Sequence, residues 1–125
     1  MRVLIVESGK TPYEKEIKAE LESLQKEVGG YIQVIYPFSD PVALICNEEG
    51  KIDGLPLNRV LKDEDGDIYD IIAGTFIVAG LEEESFGSLT ETFMKRYTEY
   101  FQYPEEFYIE KGTVICEKIM QGGKK

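Results

Sequence analysis

The chain has 125 residues, of which 42% are hydrophobic and 11% aromatic, so it has enough apolar side chains for one core without metal or disulfide staples. Its 24 acidic residues outnumber its 14 basic ones, and the net charge of −10 argues against direct binding to nucleic acid or to an anionic membrane. Two cysteines, no apolar run of membrane-spanning length and a strand-like N terminus predict a cytoplasmic protein without a signal peptide.

The first two elements are predicted from apolar spacing. The run VLIV at residues 3–6 is typical of a strand that is covered on both faces. After it, Thr11 suits a helix N-cap, Pro12 the first helical position and Glu14 the end of a capping box. An apolar stripe at spacings of three and four then predicts a helix that ends at Gly29, with a buried face formed by Tyr13, Ile17, Leu21, Leu24 and Val28.

Short apolar segments separated by turn residues follow in the middle of the chain. They predict strands at residues 31–36, 42–46, 58–61 and 68–73, with a hairpin tip at 63–66 and with residues 75–78 extending the last of these strands past a bulge at Gly74. A capping box from Ser88 to Glu91 opens a second amphipathic helix, which Pro104 ends. Two further segments, at 107–109 and 113–116, predict a last hairpin.

These elements predict an α+β fold. Because most connections are hairpins, we expect a mostly antiparallel (mixed) sheet with two amphipathic helices packed on one face. We expect a single α+β domain over residues 1–120 and a disordered tail at 121–125.

Residues that usually carry catalysis are scarce. There is no histidine, and Cys46 and Cys116 each end an apolar run without a basic neighbour. The segment SGKT at residues 8–11 resembles the end of a phosphate-binding loop, but Leu4 occupies the position of its first glycine. When the calcium-loop pattern is aligned on Gly66 of the acidic segment at 63–70, apolar Leu61 and Ile72 stand at two of its ligand positions, which leaves only a weak cation site open. We predict no enzyme, no cofactor and no metal site.

One segment carries a candidate binding pair. Asn58 and Arg59 place an amide and a guanidinium beside a stretch stiffened by Pro56, and a planar guanidinium suits a carboxylate or a phosphate. The first interpretation is a site for a small anionic ligand. The second is structural: Arg59 pairs with the nearby acidic hairpin, and Asn58 caps a turn.

The charge is unevenly distributed along the chain. Residues 63–110 hold thirteen acidic residues against Lys95 and Arg96, a net charge of −11. Such a concentration can imitate the phosphates of DNA and occupy the basic groove of a nucleic-acid enzyme, or it can simply keep a small protein soluble. The predicted acidic face comprises Asp63, Asp65, Asp67, Glu82, Glu83 and Glu84.

Five segments carry a family resemblance: VGGYI at residues 28–32, YPF at 36–38, ALICNEEGK at 43–51, GLPLNR at 54–59 and YDIIAGTF at 69–76. Over roughly the first 80 residues the chain resembles an uncharacterised domain-of-unknown-function family of small proteins, encoded on phages, plasmids and integrated elements of Gram-positive gut bacteria. The resemblance implies a mobile-element setting, and it implies no catalytic residue.

The leading hypothesis is a non-enzymatic protein that binds or regulates a partner protein of the host or of the element. The alternatives are an acidic DNA mimic that inhibits a restriction or other nucleic-acid enzyme, and a small-anion site at Asn58 and Arg59. We expect a protein partner and no direct contact with nucleic acid or membrane. The sequence leaves the oligomeric state open, with a homodimer among the alternatives.

Overall fold

The computed structural model describes residues 1–119, so the tail predicted at 121–125 lies outside the described residues, and the single domain over 1–120 stays a prediction. The described part contains ten strands and two helices. In chain order they are β1 Arg2–Val6, β2 Tyr13–Glu16, α1 Leu21–Val28, β3 Ile32–Ile35, β4 Val42–Asn47, β5 Leu57–Lys62, β6 Ile68–Ala73, β7 Phe76–Leu81, β8 Phe86–Gly87, α2 Glu91–Tyr100, β9 Glu105–Glu110 and β10 Thr113–Lys118.

Six of the strands form one sheet, in the order β2-β1-β7-β4-β3, with the short β8 paired to β7. The hairpins β5–β6 and β9–β10 form two separate two-stranded sheets. Every strand pair in the described part of the chain is antiparallel. The central strands β1, β4 and β7 are almost entirely buried, which agrees with their continuous apolar sequences.

The predicted α+β class, with two helices packed on one face of the sheet, is wrong. Strands account for 43% and helices for only 15% of the described residues, so the protein is mostly β. The helices are short, and their buried side chains belong to two different clusters. Leu24 and Val28 of α1 join Val3 and Ile5, whereas α2 joins Leu4 and other side chains on the opposite side of the strands. Neighbouring residues of a strand point to opposite faces, so α1 and α2 lie on opposite sides of β1.

The predicted first helix is wrong in its first half. Residues 13–16 form β2, which pairs with β1, and only Leu21–Val28 is helical. The backbone N–H of Ile17 donates to the carbonyl of Met1 at 2.9 Å, and the N-terminal ammonium donates to the carbonyl of Ile17 at 2.7 Å. This long-range pairing outweighs a helical preference that is small per residue.

Other local predictions are confirmed. A strand runs over Ile68–Ala73, and residues 63–67 form the tip of the β5–β6 hairpin. The second helix exists but begins later than predicted, because Thr90 is its N-cap and accepts a hydrogen bond from the backbone N–H of Phe93. Ser88 instead accepts from the backbone N–H of Arg2 at 2.8 Å. No helix of the described residues is long and apolar enough to cross a membrane.

Candidate functional site

The predicted pair Asn58 and Arg59 lies in β5, where both side chains are completely buried. The side-chain amide of Asn58 donates to the carbonyls of Val6 and Gly74, both at 2.9 Å. Its oxygen Oδ1 accepts a hydrogen bond of 2.8 Å from Nη1 of Arg59. The amide therefore connects the end of β1 to the turn between β6 and β7.

The Arg59 guanidinium is saturated with carbonyl oxygens. Nη2 donates to the carbonyls of Lys10 at 2.7 Å and Phe101 at 2.8 Å, and Nε also donates to Phe101, at 3.2 Å. Nη1 donates to Oδ1 and to the backbone carbonyl of Asn58. These bonds engage all five N–H groups, so none is left for an external anion. Burial lowers the pKa of Arg59, and the carboxylate of Glu105 opposes that shift.

Arg59 thereby joins two surface segments that are far apart in sequence. Lys10 belongs to the loop that leads into β2, and Phe101 directly follows α2. The last carbonyls of a helix lack intrahelical partners, and a cation there also interacts favourably with the helix dipole. Arg59 thus stabilises the end of α2 and holds the start of β2 at a fixed place relative to it.

The predicted acidic residues are all exposed, but they lie in turns of two different sheets. At the tip of the β5–β6 hairpin, Oδ1 of Asp63 accepts hydrogen bonds of 2.9 Å from the backbone N–H groups of Asp65 and Asp67. The carboxylates of these three residues lie within 4.8 Å of one another. The other three, Glu82, Glu83 and Glu84, follow β7. Within the described residues none of the six forms a salt bridge.

A groove that the sequence analysis missed lies between the edge strand β2 and α2. Its volume is about 630 Å³. Its walls are formed by Pro12, Tyr13, Glu14, Glu91, Met94, Lys95, Thr98 and Glu99. The groove was missed because residues 13–16 were predicted to be helical, and a helix has no open edge. The available signal was the continuous run of charged residues at 14–16, which is typical of an exposed edge strand.

The backbone of β2 is open on the side that faces away from β1, and Glu14 of this strand lines the groove. Ile17 is hydrogen-bonded to Met1, and partners in an antiparallel pair alternate between bonded and non-bonded positions. Lys15 and Tyr13 therefore bond to β1, whereas the N–H and C=O groups of Glu14 and Glu16 point away from the sheet. β2 has no partner other than β1 in the described chain. An extended peptide could pair with these four groups.

The groove is acidic. Glu14, Glu91 and Glu99 line it together with a single basic residue, Lys95. Glu14 also contacts Arg2, with 3.3 Å between Oε2 and Nη2. Apolar area comes from the half-buried Pro12 and the buried Met94. The site therefore combines an open strand edge, a small apolar floor and carboxylates that would attract a cationic ligand.

The two cysteines are poor nucleophiles. Burial raises the pKa of the Cys46 thiol to about 11. The thiol of Cys116 is half-buried and donates to Oε1 of Glu105 at 3.1 Å, and burial together with this bond raises its pKa to about 12. Both thiols are therefore protonated at neutral pH.

Comparison with known families identifies one whose model is described as a domain of unknown function (DUF3846), and it matches residues 1–102. No curated protein and no solved structure matches the chain. The match includes both walls of the groove and both members of the Asn58–Arg59 pair, whereas the hairpin β9–β10 lies beyond it. The predicted membership of an uncharacterised family is confirmed.

Proposed function

The chain belongs to the DUF3846 family, whose function is unknown, and from that premise we propose that it is a non-enzymatic protein that binds an extended, basic segment of a partner protein between β2 and α2. The observation that carries the proposal is the open edge of β2 beside an acidic groove. We propose the same setting that the resemblance implies, a phage, plasmid or integrated element of a Gram-positive bacterium, with the partner in the cytoplasm.

Backbone geometry supports an extended ligand. A peptide that adds to a sheet edge gains hydrogen bonds from its main chain, and its alternate side chains enter the adjoining groove. Glu14 and Glu16 offer two N–H donors and two C=O acceptors, spaced as in any antiparallel ladder. Ligand side chains on the α2 side would meet Met94 and Thr98.

Charge supports a basic ligand. Glu91 and Glu99 of α2 flank the groove opposite Glu14, and the whole chain carries −10. Lysine or arginine side chains at alternate positions of the ligand would reach these carboxylates. The long-range field would also raise the association rate of a basic partner, an effect that falls as salt is added.

The hydrogen bonds of Arg59 support the proposal that the groove is formed before a ligand binds. Its bonds to the carbonyls of Lys10 and Phe101 hold the two walls together before any ligand arrives. A preformed groove avoids the entropic cost of ordering loops on binding. In this proposal Asn58 and Arg59 are positioning residues that do not touch the ligand.

A display experiment tests the proposal. Random short peptides displayed on phage are selected on the wild-type protein, and the enriched peptides are measured by fluorescence anisotropy. We expect enriched sequences with basic residues at alternate positions. Glu14→Pro removes an outward N–H without disturbing the β1 ladder, and we expect it to weaken binding at least ~10-fold.

Glu83→Gln is the matched control, because it removes a carboxylate from an exposed residue outside the groove. It should leave peptide affinity within about twofold. Selection of peptides without basic residues, or equal affinity of wild type and Glu14→Pro, would contradict the proposal.

A second candidate function rests on the six exposed acidic residues that have no salt bridge among the described residues. Unpaired surface carboxylates leave a negative potential that a DNA-binding groove could accept, as the DNA-mimic hypothesis requires. The variant Glu82→Gln/Glu83→Gln/Glu84→Gln should then lose inhibition of plasmid cleavage by a restriction enzyme while it unfolds at the same temperature. Cleavage that neither the wild type nor this variant slows would exclude this candidate.

A further inference from the structure

The second edge of the six-stranded sheet, β3, differs from β2 in carrying no charge. Its four residues, Ile32–Ile35, have the sequence IQVI, whereas β2 contains Glu14, Lys15 and Glu16. Soluble proteins usually protect exposed edge strands with charged side chains, proline or a bulge, because an unprotected edge pairs with other strands. Within Ile32–Ile35 none of these is present, and β4 is the only strand paired with β3 in the described chain.

The open hydrogen-bonding groups of β3 can be assigned. The backbone N–H of Glu48 donates to the carbonyl of Tyr31 at 2.8 Å, so these two residues form a bonded pair. By alternation, Gln33 and Ile35 also bond to β4. The N–H and C=O groups of Ile32 and Val34 therefore point outward, away from the sheet.

Two exposed tyrosines and a recess flank this edge. Tyr31 precedes β3 and Tyr36 follows it, and their exposed fractions are 71% and 62%. The side chains of Ile32 and Val34 join the cluster on the α1 side of the sheet. Tyr36 lies two residues beyond Val34, so it is on the same face of the strand. Beside the start of β3, on that side, lies a recess of about 510 Å³ lined by Glu22, Gln25, Lys26, Gly29, Gly30 and Tyr31.

We propose that β3 is the site at which two copies of this chain pair. A strand paired antiparallel with its own copy is related to it by a twofold axis, so one edge supplies both halves of the contact. The two six-stranded sheets would then form one continuous sheet. The antiparallel arrangement brings the end of one β3 opposite the start of the other, so Tyr36 of each copy faces the recess of its neighbour.

The distribution of charge favours a second copy of this chain as the partner of β3 and a segment of another protein as the partner of β2. Two chains that each carry −10 repel one another, so a stable contact between them requires a surface with few charges. β3 meets that requirement, and the acidic groove beside β2 does not. The inference is independent of the proposed function, because the two sites lie at opposite ends of the sheet.

Sedimentation equilibrium over a range of protein concentrations tests the proposal. The wild type should sediment as a dimer that dissociates on dilution. Val34→Pro removes an outward N–H from each copy and leaves the β3–β4 ladder intact, so the dimer dissociation constant should rise at least ~10-fold. The matched control Glu14→Pro makes the same change on β2 and should leave the dimer unchanged. A monomeric wild type, or a dimer equally stable in both variants, overturns the proposal.

A second pair of variants keeps the test valid if Val34→Pro does not fold. Tyr36→Ser truncates a largely exposed side chain and should weaken the dimer about 5–10-fold, because aromatic side chains contribute strongly to interfaces. Tyr69→Ser truncates a comparably exposed tyrosine on β6 and should have no effect. Dimers that Tyr69→Ser weakens as much as Tyr36→Ser does would place the contact elsewhere and overturn the proposal.

Discussion

The two open edges of the six-stranded sheet have the same backbone chemistry but different surroundings. At β2 the outward groups belong to Glu14 and Glu16, and α2 forms a groove beside them. At β3 they belong to Ile32 and Val34, and an uncharged strand stands between two exposed tyrosines. An open edge therefore offers hydrogen bonds to any strand, while the side chains around it select the partner. A charged edge favours a ligand of opposite charge, and an uncharged edge favours its own copy.

The supporting residues differ as well. The β2 side is held by a buried guanidinium whose donors all meet carbonyls. The β3 side is held by an ion pair near the surface: Asp40, which precedes β4, accepts from Arg96 and from the hydroxyl of Tyr97, the latter at 2.6 Å. Buried groups lose far more than exposed ones when a partner is removed. Perturbations of the β2 side should therefore have the larger effects.

The largest effect is expected for Arg59→Met. The change leaves the carbonyls of Lys10 and Phe101 and Oδ1 of Asn58 without donors, which should lower the free energy of unfolding by about 3–5 kcal/mol in urea titrations. Folded variant protein should bind peptides more weakly and dimerise normally. Arg96→Met, which removes an exposed partner of Asp40, should cost less than about 1 kcal/mol. Equal costs for the two variants would show that Arg59 does not hold the groove walls.

Salt should affect the two edges in opposite directions. Raising NaCl from about 50 mM to 500 mM should weaken binding of a basic peptide roughly 10-fold, because screening reduces its attraction to Glu14, Glu91 and Glu99. The dimer should become slightly tighter, because the same screening reduces repulsion between two acidic chains. Fluorescence anisotropy and sedimentation measure the two equilibria. A dimer that salt dissociates would mean that charged contacts hold it together.

A smaller effect is expected when β3 is given a charge. Gln33 is exposed, and Gln33→Glu places two like charges near the twofold axis. The dimer dissociation constant should rise about 3–5-fold at low salt, and peptide affinity should not change. The neutral variant Gln33→Thr is the control and should dimerise as the wild type does. A dimer that tolerates both the glutamate and the threonine would place Gln33 outside the contact.

The smallest effect is expected for the pH dependence of stability. The hydroxyl of Tyr97 and then Arg96 hold the pKa of the Asp40 carboxyl below its usual value. A lowered pKa in the folded state means that the contact stabilises fully above about pH 4 and is lost as pH falls through that lowered value. When the pH falls from neutral to below about pH 4, the free energy of unfolding should therefore decrease less for Asp40→Asn than for the wild type. The midpoints of urea titrations measure this difference. Asp53→Asn, an exposed control, should follow the wild type.

Local sequence predicted much of the sheet. Wholly apolar runs identified β1 and β4, because a strand covered on both faces has no position for a polar side chain. The prediction that residues 75–78 extend the strand before them is wrong, because β7 belongs to the six-stranded sheet and β6 to a separate hairpin. Acidic and glycine residues identified the tip at 63–66, since Gly66 adopts a positive φ of 84° that most residues avoid. The chemically unusual pair Asn58 and Arg59 was also found from sequence. The environment of this pair was not predicted, because the Phe101 and Lys10 carbonyls that bind Arg59 lie 42 and 49 residues away along the chain.

Local residue patterns were sufficient to predict which segments are apolar enough to be buried, where tight turns occur, the acidic character of the chain and its family. Three features became apparent only in the folded protein: residues 13–16 form a strand, the helices lie on opposite sides of β1, and β2 and β3 are the edges of the sheet. This division follows from how far apart in the sequence the interacting residues lie. Apolar runs and turns are local properties, whereas strand order and the environment of a buried guanidinium depend on pairings between distant segments, whose energies exceed local preferences.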